Sequence, residues 1–94
     1  MKIAPHAYRV LLENDRVRVL DFRLKPGDKT AMHLHPAYLV YVLNPHKLRF
    51  TNPEGRSVEV ENQPGTTFMH GEGLHTCENT GTNEAHDLIV ELKR

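Results

Sequence analysis

The sequence predicts an all-β domain of sandwich or barrel type, and three observations predict it. Turn signals recur at short intervals: ENDR at 13–16, KPGDK at 25–29, LNPHK at 43–47, NPEGR at 52–56, NQPG at 62–65, GEG at 71–73 and NTGTN at 79–83. Each combines the Gly, Pro, Asn and Asp residues that tolerate or fix turn geometry. Between them lie short segments rich in Val, Leu, Tyr, Phe and Thr, several with the period of two that marks a half-buried strand. No segment sustains a helical period, and prolines interrupt every candidate.

Taken in order, the first strand is expected over Tyr8 to Leu12. In the second, Val17 to Leu24, Val17 and Val19 share one face while Leu20, Phe22 and Leu24 share the other, which predicts a bulge or an interface. A short strand containing His33-Leu34-His35 follows the KPGDK turn. Tyr38 to Leu43 is apolar on both faces, the pattern of a central strand covered on both sides. Leu48 and Phe50 alternate with Lys47, Arg49 and Thr51, and Val58 and Val60 with Ser57 and Glu59. His75 opens a strand after a bend at Gly71 and Gly73. The last strand sets His86, Leu88, Val90 and Leu92 on one face, and Asp87 and Glu91 on the other.

Composition narrows the function classes. The 94 residues make one domain with a single core. Twelve basic and twelve acidic residues cancel, so charge supplies no argument for a nucleic-acid or membrane partner. No apolar run approaches a bilayer span, and MKIAPHAYRV lacks the continuous apolar core of a signal peptide, so a cytoplasmic protein is expected. A single cysteine, Cys77, excludes an internal disulfide and agrees with a reducing compartment. Seven histidines are the compositional anomaly.

Two of them stand in TAMHLHPAYLV. On a strand, His33 and His35 share a face about 7 Å apart, since side chains alternate and the rise is about 3.4 Å per residue. Such a pair can grip a metal if a third ligand arrives from elsewhere, or it can be an ordinary feature of a solvated strand. Downstream, PGTTFMHGEGLHTCENTG offers Gly65, Gly73, His75 and Asn79.

Together these residues resemble the two motifs of the cupin superfamily. Gly27, His33 and His35 match the first motif, and Gly65, Gly73, His75 and Asn79 match the second. The likeness extends from about Glu13 to Lys93. It is strongest to small single-domain bacterial cupins opening on a segment like ENDRVRVLDFRLKPGDK and ending on one like LIVELK, some of them linked with β-alanine degradation. Three departures stand out. The motif glutamate falls at Leu39 or Val40, neither a ligand; Gly71 replaces the second-motif proline, with a spacer one residue shorter before His75; and the late glycine of the first motif is absent.

The resemblance implies a single jelly-roll β-barrel over residues 1–94, with 13–93 as the core barrel and 1–12 as an N-terminal arm or strand at a dimer interface. It also implies His33, His35 and His75 as ligands of one divalent transition metal: Zn, Fe, Ni, Mn or Cu. Three neutral imidazoles leave such a site at +2 with an open coordination position, so a small carboxylate-like molecule is the expected ligand. Dioxygenase-, isomerase- and hydrolase-like chemistry all remain open. The alternative is a non-catalytic binding or sensor module with a degenerate metal site.

No Glu or Asp falls where the motif points inward. Tyr41, of the same parity as His35 and Leu39, is the one candidate for a catalytic proton donor. Met69 and Cys77 are candidates for the interior, and Leu39, Tyr41, Phe68 and Met69 are large enough to fill it if no ligand is bound. His70 is a possible substitute for the absent carboxylate. His86 is expected to be half-buried and hydrogen-bonded to a neighbour, His6 and His46 to be exposed, and Asn79 to satisfy backbone groups in its turn. Tyr38 reads equally as a pocket residue or as packing. Exposed sheet edges, with Tyr8 to Leu12 placed to pair across an interface, predict a homodimer.

Overall fold

Each of the seven turn signals separates two elements in the computed structural model, which describes residues 6–93 and, within them, not the side chains of His33 and His35. The strands are β1 (Tyr8–Glu13), β2 (Val17–Leu24), β3 (His33–His35), β4 (Tyr38–Val42), β5 (His46–Thr51), β6 (Ser57–Asn62), β7 (Thr67–His70), β8 (Gly73–Asn79) and β9 (Ala85–Leu92). No helix occurs among the described residues, so none is long and apolar enough to cross a membrane. The motif glycines Gly27 and Gly65 sit at φ of +84° and +83°, a region that disfavours any Cβ.

The strands form two antiparallel sheets, ordered β1-β2-β9-β4-β7 and β3-β8-β5-β6, which enclose one core as a jelly roll. Leu20, Phe22 and Leu24 of β2, Val40 and Val42 of β4, and Ala85 and Ile89 of β9 face Leu48 of β5 and Cys77 of β8. Burying each large aliphatic side chain contributes roughly 1.5–3 kcal/mol. The bulge expected in β2 lies instead in its neighbour. β2 pairs with β9 through eight residues without a slip, whereas the β1 register shifts between Val10 and Leu12. A strand bonded on both sides cannot slip without breaking two ladders, so the extra residue falls on the edge strand.

Three expectations are corrected. β4 is central in its sheet but covered on one face only: Tyr38, Val40 and Val42 are buried, while Tyr41 and Leu43 on the other face are exposed. β9 turns its acidic face inward. Ala85, Asp87, Ile89 and Glu91 are buried, and His86, Leu88 and Val90 look outward half-buried. Register dictates this, because Asp87, Ile89 and Glu91 sit opposite Phe22, Leu20 and Arg18 of β2. Buried carboxylates need counter-charges. Arg18 supplies one, with Nε 2.7 Å and Nη2 2.6 Å from Glu91 Oε1.

His46 is the third correction. It is buried at the start of β5, and its Nε2 lies 3.4 Å from Asp87 Oδ2 and 3.2 Å from the Asn62 amide. Its Nδ1 donates to the Asn44 carbonyl at 2.9 Å. His86 behaves as expected, half-buried with Nε2 2.7 Å from Asp21 Oδ1.

Asn79 fastens the end of β8 to three other segments. Its side-chain amide donates to the Leu24 carbonyl at 2.7 Å and the Asn83 carbonyl at 2.8 Å, and its Oδ1 accepts from Gly81 N at 2.9 Å. Its backbone bonds both Gly27 N and Asp28 O at 3.0 Å. Thr30 adds two more links, its N donating to the Cys77 carbonyl and its Oγ1 accepting from Cys77 N. Residues 27–30 are thereby laid along β8, which delivers β3 beside it.

Asn79→Ala is expected to lower unfolding stability by about 3 kcal/mol, since it strands two carbonyls and an N–H in a buried site; a urea titration measures it. Stability should also depend on His46. Burial opposes its charging, but the bond to Asp87, the Asp87 charge and the Asn44 carbonyl together hold its pKa above the ordinary 6.5. Folding therefore favours the protonated ring. That contribution is complete below about 6.5 and lost as pH rises through the raised folded value. The urea midpoint should fall across this window in the wild type and stay level in His46→Gln.

Candidate functional site

Strand pairing brings the distant motif histidines together. In the β3–β8 ladder His33 is the register partner of His75, Leu34 of Leu74, and His35 of Gly73. Alternation then places positions 33, 35 and 75 on one face of that sheet, while the exposed Leu34 and Leu74 occupy the other. The side chains of His33 and His35 lie outside the described part of the structure. Among the described residues, no three His, Cys, Asp or Glu side chains gather closely enough to hold a metal.

His75 is half-buried, its ring centroid 5.2 Å from that of Phe50. The same Phe50 ring lies 5.4 Å from His70. His70 in turn stacks on Tyr38 at 5.0 Å with 21° between planes, and meets Phe68 edge-on at 5.1 Å. His70 and His75 both line a cavity of about 420 Å³ whose polar wall includes Thr51, Asn52 and Arg56. No carboxylate lines it, and Arg56 is its one charged residue among those described.

The other candidates divide between the two faces of the five-stranded sheet. Tyr41 is on the outer face and 42% exposed, directed away from Tyr38, Val40 and His70, so it is no part of this cavity. Leu39 and Met69 are also on the outer face, paired in register. Phe68 and Cys77 face inward. Tyr38 is a core residue whose ring stacks on His70, and it is not among the described residues that line this cavity.

Two inward carboxylates escaped the sequence reading. Glu91 is the register partner of both Arg18 and Tyr38, and Tyr38 of His70, so one row of the sheet runs Arg18–Glu91–Tyr38–His70. Asp87 lies two pleat repeats away along β9, beyond Ile89 and beside Val42. A signal was available: Arg18 has the parity of Leu20, Phe22 and Leu24, and a cation on the core face of a strand needs a buried anion. Burial first, then the Asp87 charge, pushes the Cys77 thiol up to about 12. Burial and neighbouring negative charges likewise raise the Tyr8 and Tyr38 phenols. At neutral pH all three are protonated.

Neither a sequence model of a protein family nor a curated protein sequence matches the chain. Solved structures do. A cupin domain protein from Bordetella pertussis Tohama I is 30% identical with a TM-score of 0.84, over 93% of this chain and 92% of that one. An RmlC-like cupin with a double-stranded β-helix fold from Methanocaldococcus jannaschii is 10% identical with a TM-score of 0.74, over 92% and 78%. The polyketide cyclase RemF from Streptomyces resistomycificus is 24% identical with a TM-score of 0.68, over 93% and 64%, and shares the fold. The chain belongs to the cupin superfamily.

Because Tyr41 stands on the outer face, Tyr41→Phe is expected to leave metal content and small-carboxylate binding unchanged, within twofold by titration calorimetry. Phe50→Ala, which removes the ring shared by His70 and His75, should weaken such binding tenfold or more.

Proposed function

We propose that this cupin binds one divalent transition metal through His33, His35 and His75 and takes a small carboxylate-like metabolite in the adjoining cavity. The observation that carries this reading is the register pairing of His33 with His75 at the wall of a cavity that bears Arg56 and, among the described residues, no carboxylate. The donor set fits the group: imidazoles suit Zn, Fe, Ni and Cu and can also hold Mn, and a site built only from them keeps the full charge of the ion. When bound, such an ion polarises a carbonyl or acidifies a water.

The chain's own residues supply the rest. Arg56 favours an anion and orients it, a guanidinium being matched to a carboxylate. Phe50, Phe68 and Tyr38 exclude water around His70, which strengthens each charge interaction at the site. Dioxygenase-, isomerase- and hydrolase-like reactions on such a molecule are all compatible with this arrangement. A second reading, a non-catalytic binding module, is favoured by one feature: among the described residues, no carboxylate lines the cavity to act as a general base.

We also propose a homodimer, formed through the outer face of the five-stranded sheet. Register puts Leu12, Val19, Val90, Leu39 and Met69 in a single apolar row crossing all five strands. Leu12 and Met69 at its ends are each more than half exposed. Apolar patches of this extent mark association surfaces.

Elemental mass spectrometry of untagged protein tests the metal. Near-stoichiometric metal is expected in the wild type and less than a tenth of it in His33→Ala/His75→Ala. Wild-type protein that is metal-free and takes up no added zinc, nickel or iron overturns the proposal. Sedimentation tests the assembly: Leu39→Asp should convert a dimer to a monomer with the fold intact.

A further inference from the structure

Beneath the rings around His70 lies a second, more enclosed cavity of about 20 Å³. Its wall includes Tyr8, Tyr38, Phe50, Cys77 and Asp87, and among the described residues it shares only Phe50 with the larger cavity. A water molecule requires roughly 10–15 Å³ by this measure, so there is room for one. A single water also needs two to four polar partners, and the wall offers them.

Asp87 is 3% exposed, and its two oxygens have different surroundings. Oδ2 faces His46 at 3.4 Å. Oδ1 is fully buried with no hydrogen-bond partner among the described residues. An ionised carboxylate oxygen left without a donor in a protein interior is strongly disfavoured, and native structures almost always satisfy it.

We propose that this cavity holds one buried water, which donates a hydrogen bond to Asp87 Oδ1 and links it to the Tyr38 hydroxyl, so that Asp87 positions Tyr38 beneath His70. Tyr38 is the connection between floor and site. Its ring lines the small cavity and stacks on His70 at 5.0 Å. Fixing the phenol end fixes the plane on which His70 rests. Asp87 is thus a positioning residue, acting through the water and Tyr38. The consequence for His70 rests on the functional reading above; the water site does not.

The test uses metal-free wild-type protein, so its outcome is independent of the metal proposal. Oxygen-17 relaxation dispersion is expected to show one long-lived water per chain, with cross-relaxation from water to the Cys77 amide. Asp87→Leu should abolish both and move the His70 ring-proton resonances. His46→Gln, which removes the other partner of Asp87 and leaves Oδ1 in place, should retain the water; a purely structural role for Asp87 would not separate these two variants. If Asp87→Leu does not fold, Asp87→Asn and Tyr38→Phe are read instead, with at least a tenfold shorter water residence expected. A wild type with no long-lived water overturns the proposal, as does a water whose residence is unchanged in the Asp87 variants. His70 resonances that stay fixed when the water is lost overturn the positioning role.

Discussion

The architecture depends on a buried asparagine that closes the hydrogen-bond account of four chain segments at once. Asn79 joins the end of β2, the loop at 27–28, the end of β8 and the turn at 81–83 through side-chain and backbone bonds. Loops carry backbone groups with no ladder to satisfy them, and here one amide side chain does so for several. The consequence reaches the candidate site: the loop held against β8 continues into β3, and β3 can pair with β8 only where that loop releases it. Position 33 meets position 75 because position 79 is fixed.

The interior is more polar than an eleven-residue apolar core suggests. β9 contributes two carboxylates to it, each facing a basic side chain: Arg18 for Glu91, and the His46 imidazole for Asp87. Breaking such pairs by removing one partner is far more damaging than replacing both, since a lone buried charge remains. Both pairs lie on the inner face of the five-stranded sheet. The aromatic rings of Tyr38, Phe50 and Phe68 pack around His70, and no carboxylate among the described residues lines the cavity that His70 and His75 share.

The opposite surface of the same wall has the complementary character. By alternation, each inward polar residue of β9 leaves an apolar neighbour outside. The acidic interior and the apolar exterior row are therefore one fact seen from two sides. Among the described residues, only the inner face of this sheet is covered.

Turn positions and the all-β class were legible because turn chemistry is local: Asn, Gly and Pro act through the residues next to them. The motif histidines were legible as a resemblance, and the pairing of His33 with His75 agrees with it. Asn79 was read correctly as a backbone-satisfying residue, although the number of segments it joins was not visible. His46 was misread because it was assigned to a turn and not to the start of β5; the roles of Tyr41, Asp87 and Glu91 were misread for a different and shared reason. Period two identifies which residues share a face but not which face is inside. That choice is made by register with neighbouring strands, a non-local property: β2 sets Leu20 and Phe22 inward, and Ile89, Asp87 and Glu91 must follow. The sequence by itself determined the elements and their parity; only the tertiary structure decided the sense of that parity, because burial is a property of pairs of strands and not of one.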